Sequence, residues 1–363
     1  MREGTAERPA GADAPRDERL AGAVRDVVRV RRAGRARATA VSLALSAAVF
    51  AALCLALAYG DLMIPVGDVI ATLAGGGDAG TQFVVLELRL PRALIGLLVG
   101  AAFGLSGAVF QTLLRNPLAS PDVIGISAGA SAAAVLAGVT FGASGYALSA
   151  SAVVGALLSA AAIYALAWRE GIAGYRLVLV GIGINAALSS VISHLLTSSD
   201  VAVAQNALAW LTGSLNGRSR EQFWPLLGSL VLLVPATFAA ARSLRALQLG
   251  DDTAMGLGSR VERGRLVLIA CAVALAGVAT GAAGPVTFVA FVAAPIARRL
   301  VPRQGAALLP AALTGALIVL LADFAAQHLL GSTQFPVGVV TSVIGAPYLL
   351  WLLAGANRVG KGG

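Results

Sequence analysis

Few side chains in this sequence can do chemistry, and their spacing excludes most kinds of it. Cys54 and Cys271 sit deep in apolar runs, with no CxxC pair and no Cys/His cluster. Neither a metal centre nor a disulfide framework is expected from them, and both read as small core hydrophobes. His194 stands near the end of an apolar stretch and reads as a packing residue. Asp323 is a carboxylate well inside an apolar run, by default a functional candidate. Its own stretch offers no second carboxylate and no base except His328. A hydrogen-bonded structural role is therefore favoured over a proton relay. No nucleophile and base stand together at helical spacing. The only lysine, Lys361, is followed by two glycines, so the phosphate-binding pattern G-x-x-x-x-G-K-[ST] has nowhere to form. No catalytic residue, metal or cofactor is expected, and the chain is not expected to be an enzyme.

What remains are arginines, and the elements that carry them are apolar. Of 363 residues 58% are hydrophobic and only 12% charged, with a mean hydropathy of +0.83. A soluble domain carries about twice that share of charge. The apolar residues cluster in runs of about 20, long enough at about 1.5 Å per residue to cross a hydrocarbon core. Segmentation at breakers predicts about ten helices. Their approximate spans are 40–59, 93–113, 122–140, 147–168, 177–197, 224–241, 266–283, 286–301, 306–328 and 337–354. The fold class is thus an all-α, polytopic integral membrane protein. Ala56-Leu57-Ala58 looks like a signal cleavage site, but the apolar run before it is longer than a signal core of about 7–15 residues. A retained first span is expected instead.

The net charge of +9 is spread in a topogenic pattern and not as a phosphate-binding face, so nucleic acid is not an expected partner. Ten arginines precede Thr39, mixed with six acids, in a stretch rich in Ala, Gly and Pro. Residues 1–39 are read as a disordered, basic cytoplasmic arm, 40–354 as the transmembrane domain and 355–363 as a cytoplasmic tail. With the N-terminus inside, Arg115, Arg169, Arg176, Arg242, Arg245, Arg260, Arg263, Arg265, Arg298, Arg299, Arg303, Arg358 and Lys361 all fall inside. Only Arg89, Arg92, Arg218 and Arg220 fall outside. This asymmetry predicts cytoplasmic termini at both ends.

Small residues predict tight bundling. Gly96, Gly100 and Gly104 recur every fourth residue, with Ser106 and Gly107 beyond, a smooth strip for a neighbouring helix. Two stretches outside the spans look structured. The outer one, 201–221, contains Trp210 and Gly213 and is expected to hold a short interfacial helix. The inner one, about 243–265, has Asp251 and Asp252 suited to a helix start and Gly258 suited to a stop, a compact helical knob facing the cytoplasm.

Several ordered motifs run through this frame. They are Arg89-Leu90-Pro91-Arg92, Gly100-Ala101-Ala102-Phe103-Gly104-Leu105-Ser106-Gly107, Gln111, Asn116-Pro117-Leu118-Ala119-Ser120-Pro121 and Gly125-Ile126-Ser127-Ala128-Gly129-Ala130. Further along come Leu249-Gly250-Asp251 with Ala254 and Leu257-Gly258, Gly284-Pro285-Val286-Thr287-Phe288-Val289, Phe335-Pro336-Val337-Gly338-Val339-Val340-Thr341 and Gly345-Ala346-Pro347. Together they resemble the FecCD-type permeases, the membrane subunits of type II ATP-binding-cassette importers for ferric siderophores, haem and cobalamin. The resemblance covers roughly 40–354.

It implies a permease in a bacterial cytoplasmic membrane, multi-pass, moving a ferric siderophore, with cobalamin or haem as the alternative cargo. It implies a separate ATPase subunit that binds the ATP, an extracytoplasmic substrate-binding protein, and a second permease, identical or not. In similar permeases the pair matching Arg89 and Arg92 docks carboxylates of the binding protein, which suits bidentate arginine. Anchoring at lipid headgroups is the plainer reading of the same residues. Asn116 and Leu118, with Gly174 and Tyr175 before the fifth span, match a cytoplasmic gate. Leu249, Gly250, Asp251, Ala254, Leu257 and Gly258 match the element that couples to the ATPase. The sequence departs from many relatives at Gln327 (often Arg), Gln334 (often Glu) and Ile296 (often His). The first change removes a third docking cation, as in the second permease of systems that use two different ones. An ion-coupled secondary transporter, the alternative from another class, would need charged midplane sites, for which Asp323 alone offers support.

Overall fold

The computed structural model describes residues 16–60, 62–168, 174–247, 251–256, 261–302, 305–329 and 334–359. Among these residues it is helical throughout, with no strand. The chain opens with α1 (Arg16–Ala58), α2 (Val66–Leu73) and α3 (Ala79–Gln82), which runs through a π-helical stretch (Phe83–Arg89) into α4 (Leu90–Leu113). There follow α5 (Ile126–Phe141), α6 (Gly145–Ala167), α7 (Gly174–Thr197), α8 (Val201–Leu211) and α9 (Arg220–Leu247). The last third holds α10 (Asp251–Gly256), α11 (Val261–Ala283), α12 (Val289–Leu300), α13 (Leu308–His328) and α14 (Val337–Val359). Seven of the described helices are long and apolar enough to cross a membrane. Each of the ten expected spans has its helix; α5, α12 and the apolar part of α14 are the short ones. The expected interfacial helix of 201–221 is α8, and the knob is α10.

One expectation is corrected. The basic arm is not disordered from Arg16 onward: it is the first part of α1, continuous with the first span. Pro15 stands just before the helix and no proline follows until its end, while Ala and Arg are strong helix formers. At about 1.5 Å per residue, α1 is about 65 Å long, roughly twice a hydrocarbon core. Arg37 Nε donates to the Leu300 carbonyl at the C-terminus of α12 (2.9 Å), and Ala38 is buried, so α1 joins the bundle there.

The centre of the bundle is α4. Sixteen of its residues are buried, including an unbroken run from Ala102 to Gln111. The small-residue strip makes this possible. A Cβ added at Gly100 or Gly104 would collide with the backbone of α13 at Gly315 or Ala311, and one at Gly107 with Ala290 of α12. Backbone-to-backbone contact of this kind replaces the hydrophobic drive that lipid removes. Two buried polar side chains of α4 are satisfied across helices: Ser106 Oγ donates to the Ala272 carbonyl of α11 (2.7 Å), and Gln111 Nε2 to the Phe291 carbonyl of α12 (3.0 Å).

Candidate functional site

At one end of α4 the two predicted arginines face into the protein. Arg89 closes the π-helical stretch and donates to the Leu57 carbonyl (2.8 Å) and the Leu62 carbonyl (2.6 Å). Leu57 lies in the last turn of α1, where carbonyls lack helical partners and a cation is favoured. Arg92, one turn on, forms a two-pronged pair with Asp323 of α13: Nε to Oδ2 at 3.0 Å and Nη2 to Oδ1 at 2.8 Å. Gln327 donates to the same Oδ2 (2.8 Å), and Gln334 accepts from Arg92 at 3.5 Å. The paired side chains are only 13% and 7% exposed. Asp323 is therefore hydrogen-bonded as expected, but by a partner on another helix. The ring of His328 packs against Tyr59 and Phe324, with centroids 5.2 and 4.9 Å away.

These groups line a cavity of about 290 Å³ between α1, the π-helical stretch, α4 and α13. Both guanidinium groups and the Asp323 carboxylate line this cavity together.

Two further arginines nearby, Arg218 and Arg220, are accounted for as well. Arg220, at the start of α9, pairs with Glu87 (3.1 Å) and donates to the Leu86 carbonyl (3.3 Å). Pro91 has no N–H to offer that carbonyl across the wide turn, and the guanidinium supplies the donor. Arg218, in the loop before α9, is shifted below its usual arginine range by burial and donates to the Ser214 carbonyl (3.2 Å).

Three sequence motifs meet in that same loop region. Ser214 N–H donates to the Ala283 carbonyl (2.8 Å) and Gly338 N–H to the Gly213 carbonyl (3.0 Å). Gly213 has a φ of 69° and Gly284 one of 76°, and a Cβ on either would meet backbone of the other segment. The loop after α8, the Gly284-Pro285 turn and the start of α14 are thus knotted at Gly213.

At the other end of α4 lie the candidate gate residues. Asn116 Oδ1 accepts from the Leu118 N–H (2.9 Å), a local turn that reverses the chain after Arg115, whose φ is 49°. Gly174 lies against Leu114, so the two candidate gate loops touch. Tyr175 is 70% exposed, with Arg176 Nε 3.3 Å from its hydroxyl. Arg298 of α12 donates to Gln111 and to Thr112 (3.5 Å), tying this end of α4 to α12. Asp122, to which sequence reasoning gave no role, is half-buried; its Oδ1 accepts from Ser127 at 2.5 Å. No sequence signal distinguished it from an ordinary loop acid.

The coupling set is only partly visible. Leu249, Gly250, Leu257 and Gly258 lie outside the described residues, as does the side chain of Asp251. Ala254 is 0% exposed and packs into the permease core, where it seats α10. One helical turn puts Thr253 and Met255 outside, the latter 56% exposed.

The model of the FecCD transport family matches residues 47–355. The chain belongs to that family. This FecCD permease is 43% identical over 299 residues to the ferric enterobactin transport system permease protein FepG of Escherichia coli, covering 82% of this chain and 91% of that protein. It is 40% identical over 292 residues to the iron(3+)-hydroxamate import system permease protein FhuG of Bacillus subtilis, covering 78% and 87% respectively. A solved metal-chelate type ABC transporter in an inward-facing conformation superposes with a TM-score of 0.74 at 27% identity, over 87% of this chain and 99% of that one. PsaBC from Streptococcus pneumoniae, at 14% identity and a TM-score of 0.51, shares the fold.

Proposed function

We propose that this FecCD permease carries a ferric siderophore across the cytoplasmic membrane of a bacterium, with both termini cytoplasmic. The observation that carries the reading is the 43% identity to a ferric enterobactin permease over nearly its whole length. Arg92 neutralises the one acid that an ion-coupled carrier was expected to use, which weighs against that alternative. ATP is hydrolysed by a separate subunit seated on the α10 region, through Thr253 and Met255 among the described residues. A second permease completes the conduit, and Asn116, Leu118, Gly174 and Tyr175 close its cytoplasmic end.

An extracytoplasmic binding protein delivers the chelate by placing a carboxylate at the cavity of Arg89 and Arg92. The meeting of both arginines at one cavity supports this role, and it asks the incoming carboxylate to compete with Asp323 for Arg92. A strain lacking this chain, grown on a panel of ferric chelates as sole iron source, tests the cargo. Growth is expected to fail on one siderophore class and to return with the intact gene. Normal growth on every ferric siderophore, with loss on cobalamin or haem instead, would overturn the assignment.

A further inference from the structure

A second cavity shares no residue with the arginine site and opens between α6 and α9, with α11 behind it. Its volume is about 270 Å³. The walls change character with depth. Tyr146 and Glu221 stand in the first turn of their helices, whereas Val153 and Ser229 line the slot about 11 Å further along, two turns deeper. Leu226 and Val278 complete an apolar lining. The back is closed, since α6 and α11 touch where Ser149 Oγ donates to the Gly281 carbonyl (2.7 Å). The front is bounded by helices with lipid-compatible faces: Leu158 of α6 is 65% exposed and Leu232 of α9 is 74% exposed.

The mouth carries a different chemistry. Glu221 is exposed, and among the described residues no cation is ion-paired with it. Tyr146, which lines the mouth with Glu221, and Trp224, one turn into α9, stand exposed at 58% and 63%. Such rings mark the headgroup level of a bilayer, and an exposed carboxylate at that level favours an ammonium group. An apolar slot about two turns deep beneath an ammonium site matches one kind of membrane component.

We propose that this slot holds one acyl chain of a phosphatidylethanolamine-type lipid, with the headgroup ammonium at Glu221. The inference needs only the membrane embedding of the chain, not its cargo. The purified permease with its ATPase subunit, in nanodiscs of equal phosphatidylethanolamine and phosphatidylglycerol, provides the test. A photoactivatable phosphatidylethanolamine carrying its reactive group in one acyl chain should label peptides of α6 and α9 several-fold more than the matching phosphatidylglycerol. Ala150→Trp, which fills the slot from an exposed position, should cut that labelling several-fold. Glu221→Gln should equalise the two lipids while acyl-chain labelling persists. Even labelling over all outward-facing helices would overturn the proposal. So would labelling that survives both Ala150→Trp and Val278→Phe in monodisperse protein, or an absence of labelling because a protein partner covers the slot.

Discussion

At the scale of single residues, the Arg92–Asp323 pair decides most. Removing one partner strands a charge in a setting where the two side chains are 13% and 7% exposed. Breaking a buried pair from one side costs about 3–5 kcal/mol, whereas replacing both partners by apolar groups is often near neutral. Arg92→Ala or Asp323→Ala should therefore lower the melting temperature of the purified protein sharply, and the Arg92→Met/Asp323→Leu double variant should melt closer to wild type. Equal losses in all three would mean the pair does not act as a unit. The exchange Arg92→Asp/Asp323→Arg separates structure from docking. It should restore the melting temperature while leaving binding to the substrate-binding protein weak, because the cation has moved to α13. Full recovery of that binding would argue that the position of the charge does not matter. The pairing was not legible in the sequence. Asp323 stood out as an intramembrane acid, but its partner lies 231 residues away, and only the meeting of α4 and α13 brings them together.

At the scale of elements, glycine spacing and helix periodicity carried real information, and helix ends carried less. The strip at Gly100 and Gly104 was readable as a close-packing face, and it is where α4 meets α13. Gly100→Leu should prevent recovery of folded protein by fluorescence-detected gel filtration. Gly228→Ala, at a site with nothing within 4 Å, should leave the profile unchanged. The reverse pattern would contradict the central position of α4. The knob was legible from its acids and glycines, but which of its residues face outward was not, because a six-residue helix has too few turns to show a periodic face. Met255→Glu should uncouple ATP hydrolysis from uptake without changing the melting temperature, whereas Ala254→Leu should lower the melting temperature. If Met255→Glu transports normally at normal expression, α10 does not touch the ATPase through that residue. The helical arm was missed because its mixed charges resemble those of a disordered segment, while its Ala and Arg content favours helix once it is joined to a span.

At the scale of the whole molecule, the arginine asymmetry predicts that a reporter fused after Arg218 reads outside and one fused after Arg260 reads inside. The opposite pair of readings would invert the topology. The central claim concerns energy-coupled uptake of an iron chelate, and its most direct measurement is transport in proteoliposomes. The permease, its ATPase, its substrate-binding protein and a co-encoded second permease would be reconstituted with radiolabelled ferric siderophore outside and ATP inside. The account predicts accumulation that requires ATP and the binding protein and that is lost in Arg89→Glu/Arg92→Glu vesicles of equal protein content. Accumulation driven by an ion gradient without ATP would contradict it.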